Sequence, residues 1–215
     1  TTGSSETSKP IVIAIVYYSL YGHIAGLAKA IKAGAESYSS DIKVKLYQVP
    51  ETISEEILTK MHAPPKDSSI PTITDPSDLL DADAIIFGIS IRYGMVPAQM
   101  KAFMDWTGKI WSTGGFVGKI ASIFFSTATV GGGQETAALS MLPFIAHHGM
   151  LFAPIGYTST KLFELTVHGG SPWGSGTIAG GDGSRKASPE ELEVSTHQGK
   201  LIAGYASSMK KGKST

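Results

Sequence analysis

Ile11, Val12, Ile13, Ala14, Ile15 and Val16 run without a polar interruption and pass straight into Tyr17-Tyr18-Ser19-Leu20-Tyr21-Gly22-His23-Ile24. Such an apolar run is what a parallel strand covered on both faces requires. The turn after it carries a hydroxyl and a glycine and opens onto a helix, which is where open α/β sheets hold anions. Ser19 offers an oxygen, Gly22 lets the backbone come close, and the helix start presents unpaired N–H groups and a positive dipole end. The turn has neither GxxxxGK followed by Ser or Thr nor GxGxxG, so it suits neither a nucleoside triphosphate nor a dinucleotide pyrophosphate. A single monophosphate held by hydroxyls and amides fits it. The alternative is an ordinary strand-to-helix turn in which Ser19 only caps the helix.

The 215 residues suffice for one well-cored α/β domain, and 42% apolar with 17% charged residues describes a globular chain. Eighteen basic and eighteen acidic side chains cancel, so no global field draws the chain to nucleic acid or to an anionic membrane. Cysteine is absent, which excludes disulfides, thiolate metal sites and a cysteine nucleophile. No stretch reaches the ~18 apolar residues of a membrane span, and residues 1–9 lack the apolar core of a signal peptide. These features predict a soluble cytoplasmic protein without stable membrane insertion. The expected organisation is a flexible N-terminus over 1–8, one domain over 9–209, and a short flexible basic tail over 210–215.

Along the chain, Ile24, Leu27, Ala28 and Ile31 recur at helical spacing. Residues 42–49 alternate as an edge strand. Thr52 and Glu55 form a capping-box pattern for a short helix through Met61. Ala84 to Ile89 reads as a third strand, and Val96-Pro97 starts a helix carrying Met100, Phe103, Met104 and Trp111. Lys119 to Phe125 reads as a fourth strand. Residues 134–148 read as a helix that Pro143 should kink or split, and Met150 to Gly156 as a fifth strand. Ser188-Pro189-Glu190-Glu191 is a helix start with cap, first-turn proline and glutamate three residues on, and that helix should run to about Met209. The pattern predicts a five-stranded, doubly wound parallel sheet with helices on both faces. The glycine-rich residues 157–187 form an insertion too long for an ordinary connection.

Ligands in such sheets lie outside the carboxyl ends of the strands. Three ends carry unusual chemistry: Ser19 to Ile24, then Ser90-Ile91-Arg92-Tyr93-Gly94, then Ser126-Thr127-Ala128-Thr129-Val130-Gly131. Together they suit a phosphate at one end and a flat hydrogen-bonding ring between the others, the shape of flavin mononucleotide (FMN). Arg92 is placed to counter negative charge on a reduced ring.

The chain resembles the WrbA group of flavodoxin-like NAD(P)H:quinone oxidoreductases. The resemblance spans about residues 9–206 and rests on YYSLYGHI (Tyr17 to Ile24), VPET (Val49 to Thr52), DAIIFG (Asp83 to Gly88), IRYG (Ile91 to Gly94), GGGQE (Gly131 to Glu135), AHHGM (Ala146 to Met150), PIGY (Pro154 to Tyr157) and TIAGGDGSR (Thr177 to Arg185). It implies a flavodoxin-like fold that binds FMN, takes a hydride from NADH or NADPH, and reduces a quinone by two electrons in a ping-pong cycle. It also implies a homotetramer, a dimer of dimers, which the glycine-rich insertion is expected to help build. By the same resemblance, Ser19, Leu20, Tyr21, Gly22, His23 and Ile24 hold the phosphate, with Tyr21 also meeting the nicotinamide nucleotide. Ile91, Arg92, Tyr93 and Gly94 hold the isoalloxazine, with Ser126, Thr127, Ala128, Thr129, Val130 and Gly131 as a second flavin loop. His147 matches a flavin-pocket histidine and Trp111 a substrate-side aromatic.

Ile91, Ala128 and Val130 depart from the family pattern, which has threonine at the first position and glycine at the others. A β-branched Val130 disfavours a left-handed backbone, so weaker FMN binding is the expectation. Without the resemblance, Trp111 reads as core packing, His147 as a helix-end histidine, and Asp182 as a turn residue. His62, His168 and His197 have no metal-ligand spacing. The rival functions are an electron-transfer flavodoxin, which normally carries acidic charge for docking, and a scaffold that has lost flavin.

Overall fold

A computed structural model describes residues 9–212. The N-terminal segment 1–8 and residues 213–215 of the expected tail lie outside the described residues. Strands β1 (Ile11–Tyr17), β2 (Ile42–Gln48), β3 (Ala84–Ser90), β4 (Ile120–Thr127), β5 (Leu151–Phe152) and β6 (Gly176–Ile178) build one sheet. All pairings are parallel, in the order β2-β1-β3-β4-β5, with β6 also pairing with β4. That order is the flavodoxin-like one, which reverses direction between β1 and β3.

The central strands bury both faces, as their apolar runs require. Ala14, Val16, Ile85, Phe87, Ile123 and Phe125 face one core with Met100 and Phe103 of α3 (Ala98–Trp106) and Ala137 and Met141 of α5 (Gln134–His147). Ile13, Ile15, Ile86 and Phe124 face the other, with Leu27 and Ile31 of α1 (His23–Glu36) and Ile202 and Ala203 of α6 (Pro189–Gly212). On that side α1 and α6 cross backbone to backbone. A Cβ on Gly34 would lie 1.9 Å from the Thr196 carbonyl oxygen, and one on Gly199 would lie 2.0 Å from that of Ile31.

Several expectations are corrected. The fifth strand is not continuous over Met150 to Gly156: β5 pairs with the start of β4, Ile120 and Ala121, while β6 pairs with its end, Phe125 to Thr127. The chain leaves the sheet near Pro154 and returns at Gly176, so five positions hold six strands. Pro143 does not split α5, because it is exposed and follows an exposed Leu139 whose turn faces water. The helix after Pro97 ends at Trp106, and Trp111 belongs to a separate α4 (Gly108–Ser112). Buried Thr107 turns its hydroxyl back to the Met104 carbonyl at the break. The Thr52–Glu55 capping box does not form; Ser54 precedes α2 (Glu55–Lys60), and Thr52 instead donates its amide to Glu51. Lys210 is no tail residue, because α6 runs to Gly212 and Lys210 Nζ lies 2.8 Å from Asp83 Oδ2.

The helix crossing makes a sharp expectation. Gly199→Ala forces α1 and α6 apart and lowers unfolding free energy in urea by about 1–3 kcal/mol. Gly204→Ala meets only the movable Tyr38 ring, at 3.2 Å, and leaves stability unchanged or raises it by up to ~1 kcal/mol through helix propensity. Equal losses at both positions contradict the close crossing.

Candidate functional site

The carboxyl ends of β1, β3, β4 and β6 surround a cleft of about 540 Å³, within the range of small-molecule sites. Ser19, Leu20, Tyr21, His23 and Ile24 line it from the first loop, Ile91, Arg92 and Tyr93 from the second, and Ser126, Thr127 and Ala128 from the third. Gly22, Gly94, Thr129, Val130 and Gly131 belong to the same loops without lining the cleft. Ser90, Met61 and the segment Ala179, Gly180, Gly181, Asp182 and Gly183 also line it. By sequence the 179–183 loop falls within the glycine-rich insertion, and only the split fifth strand brings it to the cleft.

Two of the expected site residues stand apart from the cleft within one chain. His147 ends α5 and lines a separate groove with Lys101, Met104 and Asp105. Trp111 is 56% exposed on α4. Neither lines the cleft of its own chain.

The first loop is shaped by Gly22, whose φ of +88° precedes α1 directly and whose Cβ position opens onto empty space. The first N–H groups of α1 have no intrahelical acceptors and carry the positive end of its dipole. Ser19 does cap this turn: its Oγ accepts the Ala25 amide at 3.3 Å while the residue lines the cleft. Tyr21 Oη donates to the Met61 carbonyl at 3.2 Å, tying the end of α2 to the loop. Beneath it, Tyr18 Oη donates to Glu51, which also accepts from the Thr52 and Ile53 amides and Gln99 Nε2. Burial and the Glu51 charge push the Tyr18 hydroxyl far up, keeping it a donor. Burial works against the Glu51 charge, but the amide, Gln99 and Lys66 interactions outweigh it and hold its carboxyl low.

The second loop is a two-residue hairpin. Arg92 and Met95 exchange backbone hydrogen bonds of 3.0 and 2.9 Å, and both central residues are left-handed, Tyr93 at φ 53° and Gly94 at φ 73°. Tyr93 is thereby held out at the rim, 99% exposed, in a conformation that disfavours a tyrosine by roughly 1–2 kcal/mol. Arg92 Nη1 donates to Ser90 Oγ and the Ile91 carbonyl, which draws the guanidinium toward the strand end. The third loop packs against this hairpin: a Cβ on Gly133 would lie 2.7 Å from the Gly94 Cα. The left-handed residue of that loop is Gly133, at φ 86°, and Val130 has no positive φ, so its side chain does not strain the turn.

The fourth wall hangs on a buried carboxylate. Glu191, with its side chain 0% exposed, accepts from the Gly169 and Ser188 amides, Thr177 Oγ1 and Arg185 Nη1. Arg185 also donates to the Ile178 and Val167 carbonyls, its amide bonds to Ala179, and its carbonyl receives His23 Nε2 at 3.1 Å. The expected helix cap at Ser188 is present, since its Oγ accepts the Glu191 amide at 3.2 Å.

Residues 19–163 match the family model described as NADPH-dependent FMN reductase. The chain belongs to that family. It is 54% identical over 91% of its length to the quinone-oxidoreductase QR2 of Triphysaria versicolor, covering 95% of that protein. It is 49% identical over 89% of its length to the NAD(P)H quinone oxidoreductase PST2 of Candida albicans, covering 94% of it. A flavodoxin, WrbA-like protein from Agrobacterium tumefaciens shares the fold at TM-score 0.64, with 22% identity over 92% of this chain and 98% of that one.

Burial opposes ionisation of Glu191, yet Arg185 and the donated amides hold its carboxyl below the ordinary range. A depressed folded-state value stabilises fully above the unfolded glutamate value of about 4.3 and is lost as pH falls through the folded value. Glu191→Gln therefore lowers stability by about 1–3 kcal/mol at neutral pH, and the gap to the parent narrows as pH drops below about 4.3. Unfolding midpoints from pH 7 to 3 check this; a gap constant with pH contradicts it.

Proposed function

We propose that the chain is an FMN-dependent NAD(P)H:quinone oxidoreductase that moves two electrons from NADH or NADPH to a quinone in a ping-pong cycle. The observation that carries this reading is the convergence of three strand-end loops on one cleft, with uncharged donors at the α1 end and one guanidinium, Arg92, among the described lining residues. Such a donor set fits FMN: amides and Ser19 for the phosphate, backbone groups of the second and third loops for the polar ring edge. The names of the Triphysaria and Candida relatives, both quinone oxidoreductases, point to quinone as the oxidant. When bound, FMN supplies the electron-carrying chemistry.

The protein's part is positioning and electrostatics. Arg92, held by Ser90 and the Ile91 carbonyl, stabilises negative charge developing in the cleft. The rigid contact between the Tyr93-Gly94 hairpin and Gly133 keeps the second and third loops at a fixed spacing, and Tyr21 on the opposite rim meets the pyridine nucleotide. Nicotinamide and quinone use the same open face in turn. A shuttle-type flavodoxin needs charge for docking, and this chain carries net zero.

We place the enzyme in the cytoplasm as a homotetramer, a dimer of dimers, with Trp111 and His147 reaching the cleft of a neighbouring subunit. Their exposure outside their own cleft supports this. No described helix is long and apolar enough to cross a membrane.

Anaerobic titration of the FMN-loaded protein with NADH should bleach the yellow flavin band, and a quinone should restore it. No bleaching contradicts the enzyme. Arg92→Met should make the flavin midpoint more negative by on the order of 30 mV, a tenfold change for a two-electron couple. Trp111→Ala should raise KM for quinone several-fold while leaving the NADH half-reaction unchanged, and sedimentation should give a four-chain particle. A monomer with parental KM in the variant contradicts the assembly.

A further inference from the structure

The buried polar groups of the fourth wall have no part in electron transfer, yet they meet at one side chain. Arg185 lies seven residues after Ile178 and closes the loop that β6 feeds: its amide bonds back to the Ala179 carbonyl at 2.9 Å, and Nη1 bonds to the Ile178 carbonyl at 2.6 Å. Both ends of the Gly180–Gly183 turn are thereby tied to one residue. The guanidinium is fixed in turn by Glu191 Oε2 at 2.9 Å, from a carboxylate with no exposure. On the cleft side the Arg185 carbonyl reaches His23 at 3.1 Å, and since a carbonyl only accepts, His23 Nε2 carries the proton. His23 is the first residue of α1 and lines the cleft.

We propose that Arg185 is a positioning residue for the phosphate end of the flavin: locked by Glu191, it sets the 179–183 turn and orients the His23 imidazole. The inference rests on the FMN reading above. It concerns residues that touch no reacting atom. Fixing the ring through Nε2 leaves Nδ1 as the free nitrogen of the imidazole. The turn itself depends on glycine at two positions, Gly180 at φ 82° and Gly183 at φ 73°, left-handed conformations that other residues rarely adopt. Losing the Arg185 fork releases the turn and His23 together, while the isoalloxazine loops, built on β3 and β4, stay in place.

The distinguishing measurement is FMN affinity set against riboflavin affinity, because riboflavin lacks only the phosphate. Apoprotein is titrated with each by fluorescence quenching. Arg185→Met should weaken FMN about tenfold or more and riboflavin less than threefold, with Arg185→Lys recovering most of the loss through its bond to Glu191. Should Arg185→Met not fold, a cycle of Arg185→Lys with His23→Gln keeps the test open: the two changes should be non-additive in FMN affinity by at least threefold. Equal weakening of both ligands, losses under twofold, or strict additivity in the cycle overturns the proposal. A parent protein that binds neither ligand overturns the FMN reading itself, and is distinguished from these outcomes by that result alone.

Discussion

The split in the fifth strand position leaves the middle of β4 without a strand on the side away from β3, and side chains close the gap. Gln198 on α6 donates to the Ile123 carbonyl and Ser122 Oγ and accepts the Ser175 amide. Gln134 at the start of α5 donates to Thr127 Oγ1 and the Thr177 carbonyl and accepts the Gly170 amide. Glu191 ties Gly169 to Thr177. Each is buried and hydrogen-bonded, the condition under which buried polar groups support a fold instead of weakening it. Their joint effect is to return the insertion to the sheet as β6, and β6 delivers the wall that the cleft otherwise lacks.

The site combines neutral donors with a local positive end. A dipole and backbone amides at α1 attract an anion without a cation that would bind any phosphate indiscriminately. Rigidity comes from close backbone contacts, Gly94 against Gly133 in the loops and Gly34 and Gly199 between helices. These glycines act through space more than through flexibility. The strained Tyr93 backbone is tolerated because the hairpin's two reciprocal hydrogen bonds over-determine it.

Much of this was legible from the residues. The apolar run at Ile11 fixed a covered parallel strand, the periodicity after Gly22 gave α1, and Ser188-Pro189 gave the start of α6, because each signal is local. The interrupted fifth strand was not legible, since Met150 to Gly156 has strand composition throughout and only the competition between β5 and β6 for β4 decides the pairing. The 179–183 wall was missed for the same reason. Lys210 was misread because its partner, Asp83, lies far away in sequence. Glu191 was legible as a cap residue and illegible as a buried anchor, for its other partners come from Gly169, Thr177 and Arg185.

The central claim is that the returning segment completes the flavin cleft as an equal partner of the three strand-end loops. Hydrogen–deuterium exchange with and without FMN tests it most directly. The account predicts that FMN slows exchange in residues 19–24, 91–94, 126–131 and 179–183 together. Protection confined to the first three segments, with 179–183 exchanging as in the free protein, would contradict it.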